Sequence, residues 1–214
     1  DLDAPVKKYL PAFQLPDVDL TAKLTVRDLL CHRPGLDCGP LVHRDPYTGQ
    51  ITDEIYFKLL RNAEIEHQVS YSNIHFTLAS RVIEAASGQK WQDFLNDHLF
   101  QPPGMSRTTA YASKLYGDPD HADPMIRLDG QWEISPLIKT DRTMHAAGGM
   151  GTCAGDVARW MILNMNQGEI DGTRIVSAKL ADEMLTQQSA LVEPSGRIRI
   201  EQGFGLGWQT GAFR

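Results

Sequence analysis

The 214-residue chain lacks most of the devices that would fix its compartment or partners in advance. It has three cysteines, Cys31, Cys38 and Cys153, which cannot all pair, so no disulfide framework is implied and the compartment stays open. No stretch approaches the ~18 consecutive apolar residues of a membrane span, and Asp1 to Pro5 is not a basic-then-apolar leader. Lys and Arg number 21 against 27 Asp and Glu, a net charge of −6, and no window clusters them. The electrostatic footprint of a nucleic-acid or anionic-lipid binder is therefore missing. There is no internal repeat, no low-complexity tract and no long linker. What is present, 42% hydrophobic and 22% charged residues, suits an ordinary globular domain with a sizeable core.

Proline and glycine punctuate the chain. Thr25-Val26-Arg27-Asp28 ahead of Leu29-Leu30 is a capping-box variant that starts a short helix, and Pro34-Gly35 stops it. Residues 37–47 are rich in Gly, Pro and Asp and are predicted to be loop, followed by a helix from about Thr52 to Arg61. Leu78, Ala79, Val82, Ile83 and Ala86 recur at three- and four-residue intervals, which predicts an amphipathic helix from Asn73 to Ser87-Gly88. Trp91, Phe94, Leu95 and Leu99 mark a second helix that Pro102-Pro103-Gly104 ends. Residues 118–124 are turn-rich, and Gln131 to Ile134 is a short strand. Helices are expected over 152–167 and from Ser177 to about Leu185. Arg197 to Glu201 and Phe204 to Trp208 alternate as two antiparallel strands. The fold class is α+β: a helical body over about 1–190, then the start of a sheet over about 197–214, within one domain.

Tyr71-Ser72-Asn73, directly before the best-patterned helix, is the most informative local feature. A tyrosine placed so can serve as general base when a helix N-terminus and a neighbouring ammonium favour phenolate, which its ordinary pKa of about 10 requires. An asparagine two residues on can hydrogen-bond a lysine and an amide carbonyl. The bland alternative is a helix cap beside a packed tyrosine.

The order of several phrases decides between these. Leu2-Asp3-Ala4-Pro5-Val6, Leu24 to His32 with Gly35-Leu36, Ser70 to Asn73, Pro103-Gly104-Met105, Ala147-Gly148-Gly149-Met150 and Gly203 to Trp208 follow one another along almost the whole chain. In that order they resemble the class C β-lactamase-like serine hydrolases, a family of β-lactamases, DD-peptidases and esterases. The resemblance implies a β-lactamase/transpeptidase-like fold and a small-molecule substrate attacked at an ester, amide or β-lactam carbonyl through an acyl-enzyme. No metal or organic cofactor is implied. Tyr71 and Asn73 match the family's Tyr-x-Asn element and are the candidate catalytic residues. Two further elements, Ser-x-x-Lys and Lys-Thr-Gly or His-x-Gly, are expected outside the sequence, the first upstream of Asp1 and the second beyond Arg214. The chain is thus expected to be the middle of an enzyme, inactive alone. The substrate leans toward ester or amide.

The remaining features rank lower. Ser87-Gly88-Gln89-Lys90 is the only Ser-x-x-Lys match, but it falls at a helix junction and is assigned as a helix stop and start; a rearranged site with Ser87 as nucleophile is the alternative. Cys31, His32, Cys38 and His43 could ligate zinc, but their spacing departs from zinc-knuckle patterns. His32 is expected to make a structural hydrogen bond near the site, and His145 is expected to be structural. Trp91, Trp160, Met161 and Met165 are expected in the core. The rival functional class is a pseudoenzyme or binding module with the same fold.

Overall fold

The computed structural model describes residues 1–195 and 199–213. Helices α1 (Val6–Tyr9), α2 (Val18–Lys23) and α3 (Val26–Leu30) lead into strand β1 (Gly35–Asp37) and the helical turns α4 (Gly39–His43) and α5 (Asp45–Thr48). Helix α6 (Asp53–Leu60), strand β2 (Glu64–Glu66), the long α7 (Asn73–Ser87), α8 (Trp91–Leu95) and a π-helical turn (Asn96–Phe100) follow. Next come α9 (Ala112–Gly117), the hairpin β3 (Met125–Leu128) and β4 (Gln131–Ile134), and α10 (Ala154–Met165). The chain finishes with β5 (Glu169–Ile170), β6 (Thr173–Arg174), α11 (Ala178–Leu185), β7 (Ser189–Ser195), β8 (Arg199–Phe204) and β9 (Gln209–Phe213). Strands β7, β8 and β9 form an antiparallel sheet in that order; β1 with β2, β3 with β4 and β5 with β6 make separate antiparallel pairs.

The core lies between α1, α3, α6 and α7, where Val6, Phe13, Leu29, Leu60, Ile74 and Leu78 are almost wholly buried. Each such side chain contributes roughly 1.5–3 kcal/mol of transfer free energy. Helix α3 starts as its sequence predicts: Thr25 Oγ1 accepts from the Asp28 N–H, and Asp28 Oδ2 accepts from the Thr25 N–H. Its far end explains how the sheet is attached. The Leu30 carbonyl accepts from the Gly207 N–H at 2.8 Å, and the Cys31 carbonyl accepts from Ser189 Oγ at 2.6 Å. Acceptors left over where the helix stops are thus satisfied by the sheet.

Several local expectations change. Residues 37–47 are not loop but the end of β1 and two helical turns, because Pro40 and Pro46 occupy opening positions where a missing N–H costs nothing. Asp129 and Gly130, both at positive φ (48° and 84°), turn β3 back onto β4, so an Asp-Gly hairpin signal adds a strand beside the expected Gln131–Ile134. Helix α8 gives way to the π-turn, with the Gln101 N–H bonding the Asn96 carbonyl just before Pro102-Pro103.

Of the strand expected over Arg197 to Glu201, Arg197 and Ile198 lie outside the described residues, and Arg199 to Glu201 belongs to β8. The second strand is displaced: residues 205–208 form a turn in which Gly205 N–H bonds the Trp208 carbonyl and Gly207 takes φ +77°, and pairing resumes at Gln209. The core assignment of Met161 and Met165 is also overturned, since they are 56% and 78% exposed. Helix α10 instead turns Asp156 and Leu163 inward. Trp91 is buried, and Trp160 stacks on Trp208 with ring centroids 6.3 Å apart.

Candidate active site

Helix α7 begins where Ser72 caps it. Ser72 Oγ accepts from the Ile74 N–H and donates to the Leu36 carbonyl at 2.5 Å, which ties the helix start to β1. The loop before it is drawn in by the Gly35 N–H, bonded to the Gln68 carbonyl at 3.0 Å. A Cβ at Gly35 would stand 2.6 Å from Ser70 Cβ, so this approach requires glycine.

Tyr71 emerges from that loop 57% exposed. Its Oη donates to Asn73 Oδ1 at 3.0 Å, while Asn73 opens α7. That orientation leaves the Asn73 NH2 as a donor and the phenol oxygen as an acceptor for a further group. Gln68, Ser70, Tyr71, Val192, Glu193 and Phe204 line a cleft of about 470 Å³ here. The two sequence candidates are thus brought together, at the junction of the helical body and the sheet.

Beneath Tyr71 lies His32, buried and at φ +56°. Its ring packs against Tyr71, Phe76 and Phe204 at centroid distances of 4.8, 5.1 and 4.7 Å. The expected structural bond is made twice over: the His32 carbonyl accepts from the Ser70 N–H at 3.2 Å, and Nδ1 from the Ser72 N–H at 3.3 Å. The sequence reading missed His75, whose Nδ1 lies 2.8 Å from His32 Nδ1. A histidine among apolar positions in the first turns of α7 gave no signal that its partner sat 43 residues earlier. Burial pushes the two rings down to about 4 for His32 and about 3 for His75, so both are neutral at pH 7.

Other candidates are placed elsewhere. Ser87 ends α7, fourteen residues along a fifteen-residue helix from Asn73, about 21 Å at the helical rise. Its hydroxyl donates to the Ile83 carbonyl. Cys31 Sγ points to the Arg27 carbonyl and Cys38 Sγ to the Leu59 carbonyl; among the described residues no three His, Cys, Asp or Glu side chains converge as a metal site. His145 lines a separate cleft with Arg81, Glu84, Lys90 and Tyr111, neither ring nitrogen paired, and burial with the Lys139 and Arg81 charges lowers it to about 4.

Residues 1–213 match the family model described as Beta-lactamase. "Penicillin-binding protein 4" of Amycolatopsis lactamdurans is 26% identical over 217 residues, covering 97% of this chain and 55% of that protein. A putative D-alanyl-D-alanine carboxypeptidase of Escherichia coli K12 is 22% identical, covering 97% and 52%. Among solved structures, a penicillin-binding protein homologue from Pyrococcus abyssi superposes with a TM-score of 0.74 at 23% identity, over 97% of this chain and 47% of that one. A D-stereospecific amidohydrolase from Streptomyces superposes at 0.73 and 23%, over 97% and 62%. The chain spans about half the length of the relatives it matches.

Proposed function

The chain belongs to the beta-lactamase family, and from that premise we propose that it is the central part of a serine hydrolase that opens an ester or amide carbonyl through an acyl-enzyme. In this reading a serine and a lysine from outside residues 1–214 meet Tyr71. The serine attacks the carbonyl, Tyr71 takes its proton, and the proton passes to the leaving group as the tetrahedral intermediate collapses. Water then resolves the acyl-enzyme by the same route in reverse. Asn73 orients the lysine and the acyl chain through its amide. The oxyanion is held by backbone N–H groups that these residues do not supply.

The observation that carries this reading is the Tyr71 Oη to Asn73 Oδ1 bond at the start of α7, beside a cleft closed by β7 and β8. The distance of Ser87 from it along α7 argues against Ser87 as the nucleophile. The preference for an open-chain carbonyl over a β-lactam draws support, on the amide side, from likeness to a D-stereospecific amidohydrolase and to a protein named a putative D-alanyl-D-alanine carboxypeptidase, although one scaffold serves several such reactions.

The test is turnover of p-nitrophenyl butyrate, a D-alanyl amide and nitrocefin by the full-length protein. Hydrolysis of the first two, with covalent fluorophosphonate labelling outside residues 1–214, is expected. Lactam hydrolysis alone would overturn the substrate assignment, and labelling at Ser87 would overturn the mechanism.

A further inference from the structure

The buried ring pair behind Tyr71 is not used by any step above, yet it touches that residue from both sides along the backbone. We propose that His32 and His75 act as one positioning device for Tyr71, in which His75 Nδ1–H donates to a bare His32 Nδ1 and His32 holds the Ser70 to Ser72 backbone. The proposal deepens the reading of Tyr71 as the proton-transfer group and rests on it.

The tautomers follow from the contacts. The Ser72 N–H can only donate, and it reaches His32 Nδ1 at 3.3 Å, so that nitrogen carries a lone pair. At 2.8 Å two ring nitrogens need one proton between them; with His32 as acceptor, the proton sits on His75 Nδ1, and the single lone pair of His32 Nδ1 is shared between that short bond and the longer one from Ser72. His32 is then protonated on Nε2, and His75 Nε2 is bare. The latter nitrogen makes no hydrogen bond. The Pro34 carbonyl favours the protonated ring of His75; were His75's own proton on Nε2 instead of Nδ1, the proton between the two Nδ1 atoms would have to come from His32, which would expel the Ser72 N–H.

The consequence for Tyr71 is geometric. His32 takes a left-handed φ, which directs its carbonyl to the Ser70 N–H and its ring to the Ser72 N–H. One residue therefore holds the N–H groups of the residues immediately before and after Tyr71, while its ring packs against the phenol. His75 acts through His32. It fixes which nitrogen of His32 is bare, a choice that burial alone would not make. An extra proton is poorly accommodated, since on His32 Nδ1 it would break both contacts and on His75 it would place a positive charge in a buried site.

The titratable groups around the pair are few. Tyr71 is bonded to Asn73. At the end of α3, Arg33 faces Asp28 at 3.2 Å and Cys31 Sγ at 3.4 Å, and burial raises the Cys31 thiol. Burial is the cause acting on His32, and on His75 burial acts first, with a charge on His32 opposing a second one there. From β8 the neighbour is Phe204, which carries no charge.

The test reads the rings directly. Long-range proton–nitrogen spectra of the 15N-histidine-labelled full-length protein are expected to show His32 protonated at Nε2, His75 at Nδ1, and neither titrating near the ordinary imidazole value of about 6.5. His75→Asn, which keeps a donor, should leave the Ser72 amide resonance in place, whereas His75→Leu should move it. In the full-length protein the Leu variant should lower kcat with KM retained, and the Asn variant should restore it. The opposite tautomers, an ordinary titration of either ring, or a Ser72 resonance indifferent to His75→Leu would each overturn the device. Should His75→Leu fail to fold, the tautomers of the unaltered chain decide alone. A correct tautomer pair in a protein whose Tyr71→Phe variant is fully active would leave the device standing and sink the catalytic reading of Tyr71 instead.

Discussion

Tyr71 and Asn73 are joined side chain to side chain across a single residue, phenol Oη to amide Oδ1 at 3.0 Å. The span is short because Ser72 between them is in extended conformation as the cap of α7, which turns the side chains on either side of it toward the same solvent-facing edge. The pair is therefore set by the helix start.

Tyr71→Phe in the full-length protein should reduce kcat by about 10²- to 10⁴-fold, the usual contribution of a positioned proton-transfer group. Because the phenol is exposed, the thermal midpoint should hardly move. Unchanged turnover would remove Tyr71 from the mechanism.

Gly35→Ala places a methyl 2.6 Å from Ser70 Cβ. Relieving that overlap should cost about 1–3 kcal/mol, as overpacking does, and displace the loop that bears Tyr71. A urea titration measures the first effect and the amide resonances of Ser70 and Ser72 the second. An unshifted midpoint would mean that the loop does not depend on this approach.

Asp156 is buried, and its Oδ2 accepts from the Arg107 N–H and Thr108 Oγ1, both at 2.8 Å. Asp156→Ala strands the Arg107 N–H and leaves the Thr108 hydroxyl with Thr152 Oγ1 alone, and should cost about 1–3 kcal/mol in urea unfolding. Asp156→Asn keeps an acceptor oxygen and should cost less. Equal losses would show that charge rather than bonding matters there.

Acid should weaken the fold through His32 and His75. Their folded values, about 4 and about 3, lie below the ordinary value of 6.5, so the unfolded chain binds protons first. Their contribution is complete above about pH 6.5 and is lost as pH falls toward 4, on the order of 1.4 kcal/mol per pH unit for each ring. Urea midpoints at pH 7.5 and pH 5 measure this, and a flat profile between them would contradict the burial of both rings.

The parts of this molecule legible in its sequence are those decided locally. The Thr25 box, the Ser72 cap and the spacing of Leu78 and Val82 place α3 and α7, and with them Tyr71 and Asn73. Pairings between distant residues were not legible. Strands β1 and β2 have three residues each and pair Gly35 with Glu66, too short for an alternating pattern. His75 looks like a break in an apolar face until His32 is folded against it. The methionines of α10 misled because helical spacing reveals a face without saying whether anything covers it. The second strand was displaced because Gly205 and Gly207 alternate with Phe204, Leu206 and Trp208 as strand residues would. They serve a turn instead: a Cβ at Gly205 would strike the Met184 carbonyl, and Gly207 takes a positive φ.

The bond from Ser189 Oγ to the Cys31 carbonyl spans 158 residues of sequence, and the Gly207 to Leu30 bond spans more. Contacts of such separation form late, since the loop they close must lose its freedom before it gains anything. Helix α7 and its cap can assemble early from their neighbours, but the Phe204 wall of His32 and Tyr71 arrives only when the last strands dock. During folding, Tyr71 therefore spends its early life as an uncovered tyrosine on a finished helix, and the cleft beside it is among the last features of the chain to come into being.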